Sequence, residues 1–393
     1  MSDYNYELPD NRIAKFPLAQ RDASKLLITG SRGIEFDSFS SIGSYLPENG
    51  LLVFNNTKVI HARLLFRKPT GAAIEIFCLE PAIPADYQQS FAASGTCTWH
   101  CLVGNKKKWK GGGLSKLCHV SGLTFEISAL ILSDTGDDVQ IQFRWNASVS
   151  FAEILAAEGN IPLPPYLNRK AEASDAIRYQ TVYSQHDGSV AAPTAGLHFT
   201  GELLENLRSK QHINTEAITL HVGAGTFKPV STDNPVQHTM HREHYLIPLT
   251  SIEAIDRCFG NITITGTTSL RAVESMYWLA QRLYKGQHVL ETTQWEPYHE
   301  TPVLNPREAL AFLADYCRKN NLNCLQASTS VMIVPGYEFR YANRLITNFH
   351  QPRSTLLLLV AAFIGEQWKN IYATAMKNDF RFLSYGDSML LVR

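Results

Sequence analysis

Residues able to move protons or hold a polar ligand gather at a few places in the sequence. Pro193-Thr194-Ala195-Gly196-Leu197-His198-Phe199-Thr200 sets one histidine among small residues. Small residues let a backbone close on a ligand, while the ring offers an acid, a base or a hydrogen bond. A lone histidine serves equally well as a structural donor. Leu220-His221-Val222-Gly223-Ala224-Gly225-Thr226-Phe227 repeats the theme, although any tight turn can use Gly-x-Gly. His238-x-x-His241-x-Glu243 offers two imidazoles and a carboxylate. Surface or hydrogen-bonded histidines rank first there, catalytic groups second and a zinc site third. The spacing is not the His-Glu-x-x-His pattern, and Pro235 opposes a long helix. Gly266-Thr267-Thr268-Ser269 supplies amides and hydroxyls, with Arg271 and Glu274 on the turns that follow. The bland alternative is a helix start with both charges in solvent.

Two further sets carry weaker signals. Cys97, Cys101, Cys118 and His119 are off the usual zinc spacing and read as small core residues in strands. Lys106-Lys107-Lys108-Trp109-Lys110 is the dense basic run. Lysines around an indole suit phosphates and a stacked base, and a solvated hairpin is the alternative.

These residues need elements to position them. Leu51–Phe54, Val190–Ala192, Asn261–Thr265 and Leu345–Thr347 read as strands, each running into a polar or glycine-bearing turn. Helices follow: one with Thr200 as N-cap and Leu203, Leu204 and Leu207 on its apolar face, one carrying Leu270, Val273, Tyr277, Ala280 and Tyr284, and Thr355–Ile364. Strand–turn–helix repeats imply a sheet, mainly parallel, with helices on both faces and ligands beyond the strands' carboxyl ends. Between about Arg63 and Trp145 the texture changes to short alternating runs separated by turns, which suggests a small β-barrel or sandwich inserted into that α/β unit. Ser150–Glu158 then has helical spacing and ends at Gly159-Asn160.

Composition narrows the function classes. The 393 residues are 45% hydrophobic, with 36 Lys+Arg against 36 Asp+Glu, so bulk electrostatics will not hold nucleic acid and any basic patch must be local. That length favours two domains. The apolar run Leu356–Ile364 is too short to span a bilayer. The N-terminus lacks a signal-peptide core, and seven cysteines without framework spacing suit a reducing compartment. A cytoplasmic globular protein is expected.

The order of several segments resembles the S-adenosylmethionine:tRNA ribosyltransferase-isomerase family of queuosine biosynthesis. They are Tyr6-Glu7-Leu8-Pro9 with Arg21-Asp22, Phe54-Asn55-Asn56-Thr57-Lys58-Val59-Ile60-His61-Ala62-Arg63-Leu64, Pro162-Leu163-Pro164-Pro165-Tyr166, and Tyr179-Gln180-Thr181-Val182-Tyr183. Gly188 to Thr200, Thr219 to Val230, His238-x-Met240-His241-x-Glu243 and Gly266–Ser269 follow. Pro335-Gly336-Tyr337, Thr347-Asn348-Phe349-His350 and Ser384-Tyr385-Gly386-Asp387 complete the order. Asn56, His61 and Gln351 depart from the family pattern, where Asp, Pro and Leu are expected.

The resemblance implies a large mixed, mainly parallel α/β/α domain (residues 1–62 and 151–393) interrupted by a small β-barrel domain (63–150). It implies transfer and isomerisation of the ribosyl moiety of S-adenosylmethionine onto 7-aminomethyl-7-deazaguanine at the tRNA wobble position. Adenine and methionine leave, and epoxyqueuosine results. The sulfonium acidifies the C5′ hydrogens, so positioned acid/base chemistry suffices and no metal is called for. His198, His221, His238, His241 and Glu243 are the candidates for proton transfer. Thr194, Gly196, Gly223, Gly225, Thr267, Thr268, Arg271, Asn348 and His350 are the candidates to hold the co-substrate. The partner is tRNA, met at its anticodon loop by a monomer. A metal-dependent hydrolase using His238, His241 and Glu243 is the runner-up, and a tRNA-binding relative without catalysis is the third reading.

Overall fold

The computed structural model describes residues 1–30, 33–109, 111–136, 138–223 and 235–393. Among these residues the largest sheet has ten strands. Its order is Glu291–Thr292, Cys324–Thr329, Glu243–Pro248, Asn214–Leu220, Leu51–Asn55, Ile262–Thr265, Arg344–Asn348, Ser388–Val392, Lys25–Gly30 and Gly33–Ser38. The centre is parallel, from Asn214–Leu220 through Leu51–Asn55 and Ile262–Thr265 to Arg344–Asn348. These strands are apolar runs; Leu51–Asn55 and Ile262–Thr265 are buried at every residue, as expected for strands covered on both faces. Toward the edges the pairing turns antiparallel, for Glu243–Pro248 on both its sides, for Ser388–Val392 against Arg344–Asn348, and for the hairpin Lys25–Ser38. Strands separated by two residues in sequence can pair only as antiparallel neighbours. The sheet is therefore mixed: parallel pairs fill the middle and recur toward the edges, where Lys25–Gly30 pairs with Ser388–Val392 and Glu291–Thr292 with Cys324–Thr329.

Helices cover both faces. Thr267–Tyr284 is buried along almost its whole length and shares one core with Leu249–Arg257 and Pro306–Lys319. On the other face Leu203, Leu204 and Leu207 of Gly201–Ser209 pack with Leu52, Phe54 and Ile346. Thr200 caps that helix by accepting from the Leu203 N–H, which removes one orphan donor at its start.

The expected strand at Val190–Ala192 lies elsewhere. His186–Ser189 forms the strand, paired in parallel with Thr57–Val59 in a small separate sheet. Ser189 Oγ then donates to the Ala191 carbonyl and accepts from the Val222 N–H, so residues 190–192 are tied down as irregular buried chain.

The second large sheet is antiparallel. It comprises Gly159–Asn160, Arg63–Arg67, Ala73–Ile83, Thr96–Gly104, Val139–Trp145, Leu123–Asp134 and Leu114–Val120, in that spatial order. It curls around Phe66, Ile76, Trp99, Ile127 and Phe143 until Leu114–Val120 approaches Arg63–Arg67. Those two strands do not pair, so the expected barrel is an open, curled half-barrel. The helix Phe151–Glu158 fills the seam: Glu158 accepts from the His119 N–H of the edge strand and pairs with Lys116. Among the described residues, no helix is long and apolar enough to cross a membrane.

Candidate active site

Beyond the carboxyl ends of the central strands lies a cleft of about 840 Å³, counted with the solvent in its mouth. Three turns converge on it: 191–195 after His186–Ser189, Gly266-Thr267-Thr268 after Ile262–Thr265, and 347–351 at the end of Arg344–Asn348. Five candidate ligand-holding residues line it together, namely Thr194, Thr267, Thr268, Asn348 and His350. Gly266 has a φ of 89° and opens the helix Thr267–Tyr284 with no side-chain cap. The helix N–H groups therefore point at the cleft, with the positive end of the macrodipole.

Asn348 is the best-defined group. Its Nδ2 donates to the Leu383 carbonyl (3.1 Å) and contacts His198 Nε2 (3.3 Å). The carbonyl can only accept, so the amide cannot be flipped, and its second N–H meets His198 Nε2 as a lone pair. His198 consequently carries its proton on Nδ1 and donates it to Ser24 Oγ (2.8 Å). Burial lowers the His198 pKa to about 4, which keeps the ring neutral. This arrangement leaves Asn348 Oδ1 buried without a partner. His350 is also buried and depressed, to about 3, with Nε2 on Thr347 Oγ1 (2.9 Å). Its loop is anchored from outside: the His350 N–H donates to Tyr372 Oη, and Tyr6 Oη donates to the His350 carbonyl.

The expected proton-transfer residues do not line this cleft. His198 stands behind Asn348. His221 holds Thr57 Oγ1 with Nδ1 (3.1 Å), packs tilted against Tyr87 at 4.5 Å between centroids, and is depressed to about 4 by burial. A Cβ on Gly188 would sit 2.5 Å from that ring, so glycine is required there. Glu243 is buried in an ion pair with Arg271 (2.6 Å), and Arg271 also donates to the Val331 carbonyl. That pairing occupies the carboxylate that a metal site would need. His238 is half-buried and His241 exposed, just ahead of strand Glu243–Pro248. Gln294 clamps the backbone between them by accepting from the Met240 N–H and donating to the His238 carbonyl.

Of the remaining candidates, Gly196 turns away from the cleft and lets Tyr183 Oη pack where a Cβ would stand, at 1.9 Å. Gly223 does not line the cleft, and Gly225 lies outside the described residues. Glu274 is buried, not solvent-facing: it accepts from the N–H groups of Arg340, Tyr341 and Ala342 and from Tyr337 Oη, which accounts for Pro335-Gly336-Tyr337 as an anchored loop. Asn56 likewise has a structural partner, accepting from Thr219 Oγ1.

Sequence reasoning missed Ser24 and the Leu383 carbonyl. A single serine and a backbone oxygen leave no residue-type signal. Tyr166 and Ser384 also line the cleft, and they belong to the Pro162–Tyr166 and Ser384–Asp387 motifs of the sequence.

In the curled sheet, Trp109 is buried with Nε1 on the Gly112 carbonyl, so its indole is not offered to a base. Lys106 pairs with Asp134 (2.7 Å), Lys107 and Lys108 are exposed, and Lys110 lies outside the described residues. Cys97, Cys101 and Cys118 are buried in strands, with burial raising each thiol's pKa.

Comparison with known proteins joins these observations. The family described as queuosine biosynthesis protein matches residues 1–391. The S-adenosylmethionine:tRNA ribosyltransferase-isomerase of Trichlorobacter lovleyi is 36% identical over 398 residues, covering 100% of this chain and 99% of the relative. That of Citrifermentans bemidjiense is 37% identical over 397 residues, with 100% and 99% covered. A crystal structure of an S-adenosylmethionine tRNA ribosyltransferase from Thermotoga maritima is 26% identical, covers 99% of this chain and 100% of that one, and has a TM-score of 0.47. Matched from end to end by the family and by its named relatives, the chain belongs to the queuosine biosynthesis family of S-adenosylmethionine:tRNA ribosyltransferase-isomerases.

Proposed function

We infer that the chain transfers and isomerises the ribosyl moiety of S-adenosylmethionine onto 7-aminomethyl-7-deazaguanine at the wobble position of tRNA. The products are epoxyqueuosine, adenine and methionine. The observation that carries the assignment to this cleft is the buried, unpartnered Oδ1 of Asn348 among Thr194, Thr267, Thr268 and His350. Such an acceptor calls for an N–H or O–H from a ligand, and adenosine supplies several. Bound there, S-adenosylmethionine would contribute a sulfonium that acidifies its own C5′ hydrogens.

The chain's residues do the rest. Asn348 orients the nucleoside, with His198 fixing the amide from behind. Thr267, Thr268 and the uncapped helix start favour an electron-rich group. Arg271, on the second turn of that helix, is held by Glu243. His350, neutral because it is buried, offers a lone pair or an N–H. His238 and His241 lie outside the cleft's lining but are less buried than His198 and His221, and proton exchange is assigned to them on a substrate that extends beyond the cleft. No metal takes part in this scheme.

The division into residues 1–62, 63–150 and 151–393 is supported by the two separate sheets up to its second boundary, since helix Phe151–Glu158 and strand Gly159–Asn160 pack with the curled sheet. We place the anticodon loop between the cleft and the exposed lysines of the curled sheet, in a monomer acting in the cytoplasm. The test is to incubate the protein with S-adenosylmethionine and tRNA bearing the deazaguanine, with and without chelator. Adenine and methionine should appear in both; tRNA binding without adenine release would reject the enzymatic reading, and loss of turnover with chelator would reject the metal-free one.

A further inference from the structure

A second hollow of about 290 Å³ adjoins the cleft, with Ser384 lining both. Its walls include Arg21, Arg178, Arg381, His198 and Tyr385. The positive charge there is not balanced. Arg381 pairs with Asp387 at 2.9 Å. Among the described residues, neither Arg21 nor Arg178 pairs with a carboxylate. Arg21 donates to the carbonyls of Gln180, Leu197 and Ile177, and Arg178 to those of Ala19 and Leu18. Arg178 Nε is buried with no partner at all.

The neighbouring acids do not pair with either guanidinium. Asp22 accepts from Thr200 Oγ1 with Oδ2 while its Oδ1 is buried without a partner, and Asp175 is held by both forks of Arg169 and by Tyr385 Oη. Burial, and then the charge of Arg178, push the pKa of Arg21 below its ordinary value. Backbone carbonyls thus fix two guanidinium groups in place without neutralising them. Holding desolvated like charges together is costly unless something completes the set. Arg21-Asp22 and Ser384-Tyr385-Gly386-Asp387 are also sequence motifs to which the cleft gives only a partial role.

We propose that Arg21 and Arg178 form an oxyanion site beside the cleft, taking either a backbone phosphate of the tRNA next to the target nucleotide or the carboxylate of the methionyl group of S-adenosylmethionine. A planar fork with fixed geometry suits either anion. The proposal rests on the ribosyl-transfer reading, so binding is measured apart from turnover.

The test uses the full chain with Arg178→Gln, Arg178→Lys and Arg21→Lys. The Kd of S-adenosylmethionine is measured by calorimetry, and that of the tRNA across a salt series. For a phosphate, the tRNA Kd rises about 10-fold and the salt slope falls by about one, with co-substrate binding unchanged. For the carboxylate, the S-adenosylmethionine Kd rises about 10-fold, the worth of one charge-assisted pair, while decarboxylated S-adenosylmethionine binds wild type and variant alike. If Arg178→Gln does not fold, the lysine variants take its place; they keep the charge and lose the fork, so the Kd rises while the salt slope stays. Folded variants that bind both ligands as wild type does would overturn the site. Wild-type protein that releases no adenine would instead overturn the functional reading and leave the binding result standing.

Discussion

The rim of the ten-stranded sheet and the curled sheet carry similar polar residues and dispose of them differently. In the curled sheet most are committed: Lys106 to Asp134, His100 to Asp138, Lys116 to Glu158, and the indoles of Trp109 and Trp145 to nearby carbonyls. Trp99 Nε1, Ser90 Oγ and Arg63 Nε are exceptions. At the rim, Asn348 Oδ1, Ser269 Oγ, Arg271 Nη2 and Arg178 Nε are all buried without partners. Each such atom costs about 1–3 kcal/mol. A fold retains several of them in one place when a ligand completes them. The curled sheet is finished by folding; the rim is not.

The largest effect should come from breaking the rim's support. Glu243→Gln leaves Arg271 charged and buried without its partner, and about 3–5 kcal/mol of stability should go with it. Lys106→Ala, which removes a partly exposed pair in the curled sheet, should cost under about 1 kcal/mol. Urea denaturation of the two variants measures both. Equal losses would erase the distinction between the regions, and an undestabilised Glu243→Gln with lowered kcat would return Glu243 to direct proton transfer.

Acid should also act first on the rim. The folded-state pKa of His198 lies below its unfolded value of 6.5, at about 4. Below pH 6.5 the unfolded chain takes up a proton that the folded chain refuses. The stability tied to His198 is therefore full above pH 6.5 and is lost progressively toward pH 4, by about 3 kcal/mol. His198→Gln should be less stable at neutral pH but lose less on acidification. Parallel pH profiles for the variant and wild type would show that His198 does not set this slope.

These contrasts also explain what the sequence revealed. Thr355–Ile364 and the Thr200 cap were legible because their signals are local: an apolar run behind a serine, and a hydroxyl three residues before the amide it caps. Thr194, Thr267, Thr268, Asn348 and His350 were legible as turns that follow strands. The strand order was not, because Leu51–Asn55 lies between Asn214–Leu220 and Ile262–Thr265 through pairings distant in sequence. For the same reason the Glu243–Arg271 pair was invisible, since strand and helix become neighbours only in the folded sheet. Val190–Ala192 read as a strand from its apolar texture, yet Ser189 ties it down as irregular chain.

A direct probe of the rim is Asn348→Leu, which removes the acceptor while roughly keeping volume. It should lower kcat/KM for S-adenosylmethionine by about 10²-fold, the equivalent of one lost hydrogen bond with a buried group left unpaired. His241→Ala should lower kcat by a similar factor of about 10², without raising KM, if the ring exchanges a proton. The two differ in which constant moves. An Asn348→Leu enzyme with unchanged KM and kcat would mean that Oδ1 faces no ligand.

The smallest effects belong to the Lys106–Lys108 turn, and they separate its two parts. The lysine-indole-lysine pattern suggests phosphate contact and base stacking together. The structure divides them: Lys107 and Lys108 are exposed, whereas Trp109 is buried and bonded to Gly112. Replacing both lysines with alanine should therefore raise KM for tRNA by a few fold, roughly, and reduce the salt slope, since fewer counterions are released. Stability should barely change, because neither side chain is packed. Trp109→Phe should do the reverse. It removes one indole hydrogen bond from the curled core, lowering stability by about 1 kcal/mol, and leaves tRNA affinity alone. A base stacked on that indole would make Trp109→Phe the more damaging change for RNA. Such a result would mean that the loop opens on binding, so that even this sheet is completed only by its ligand.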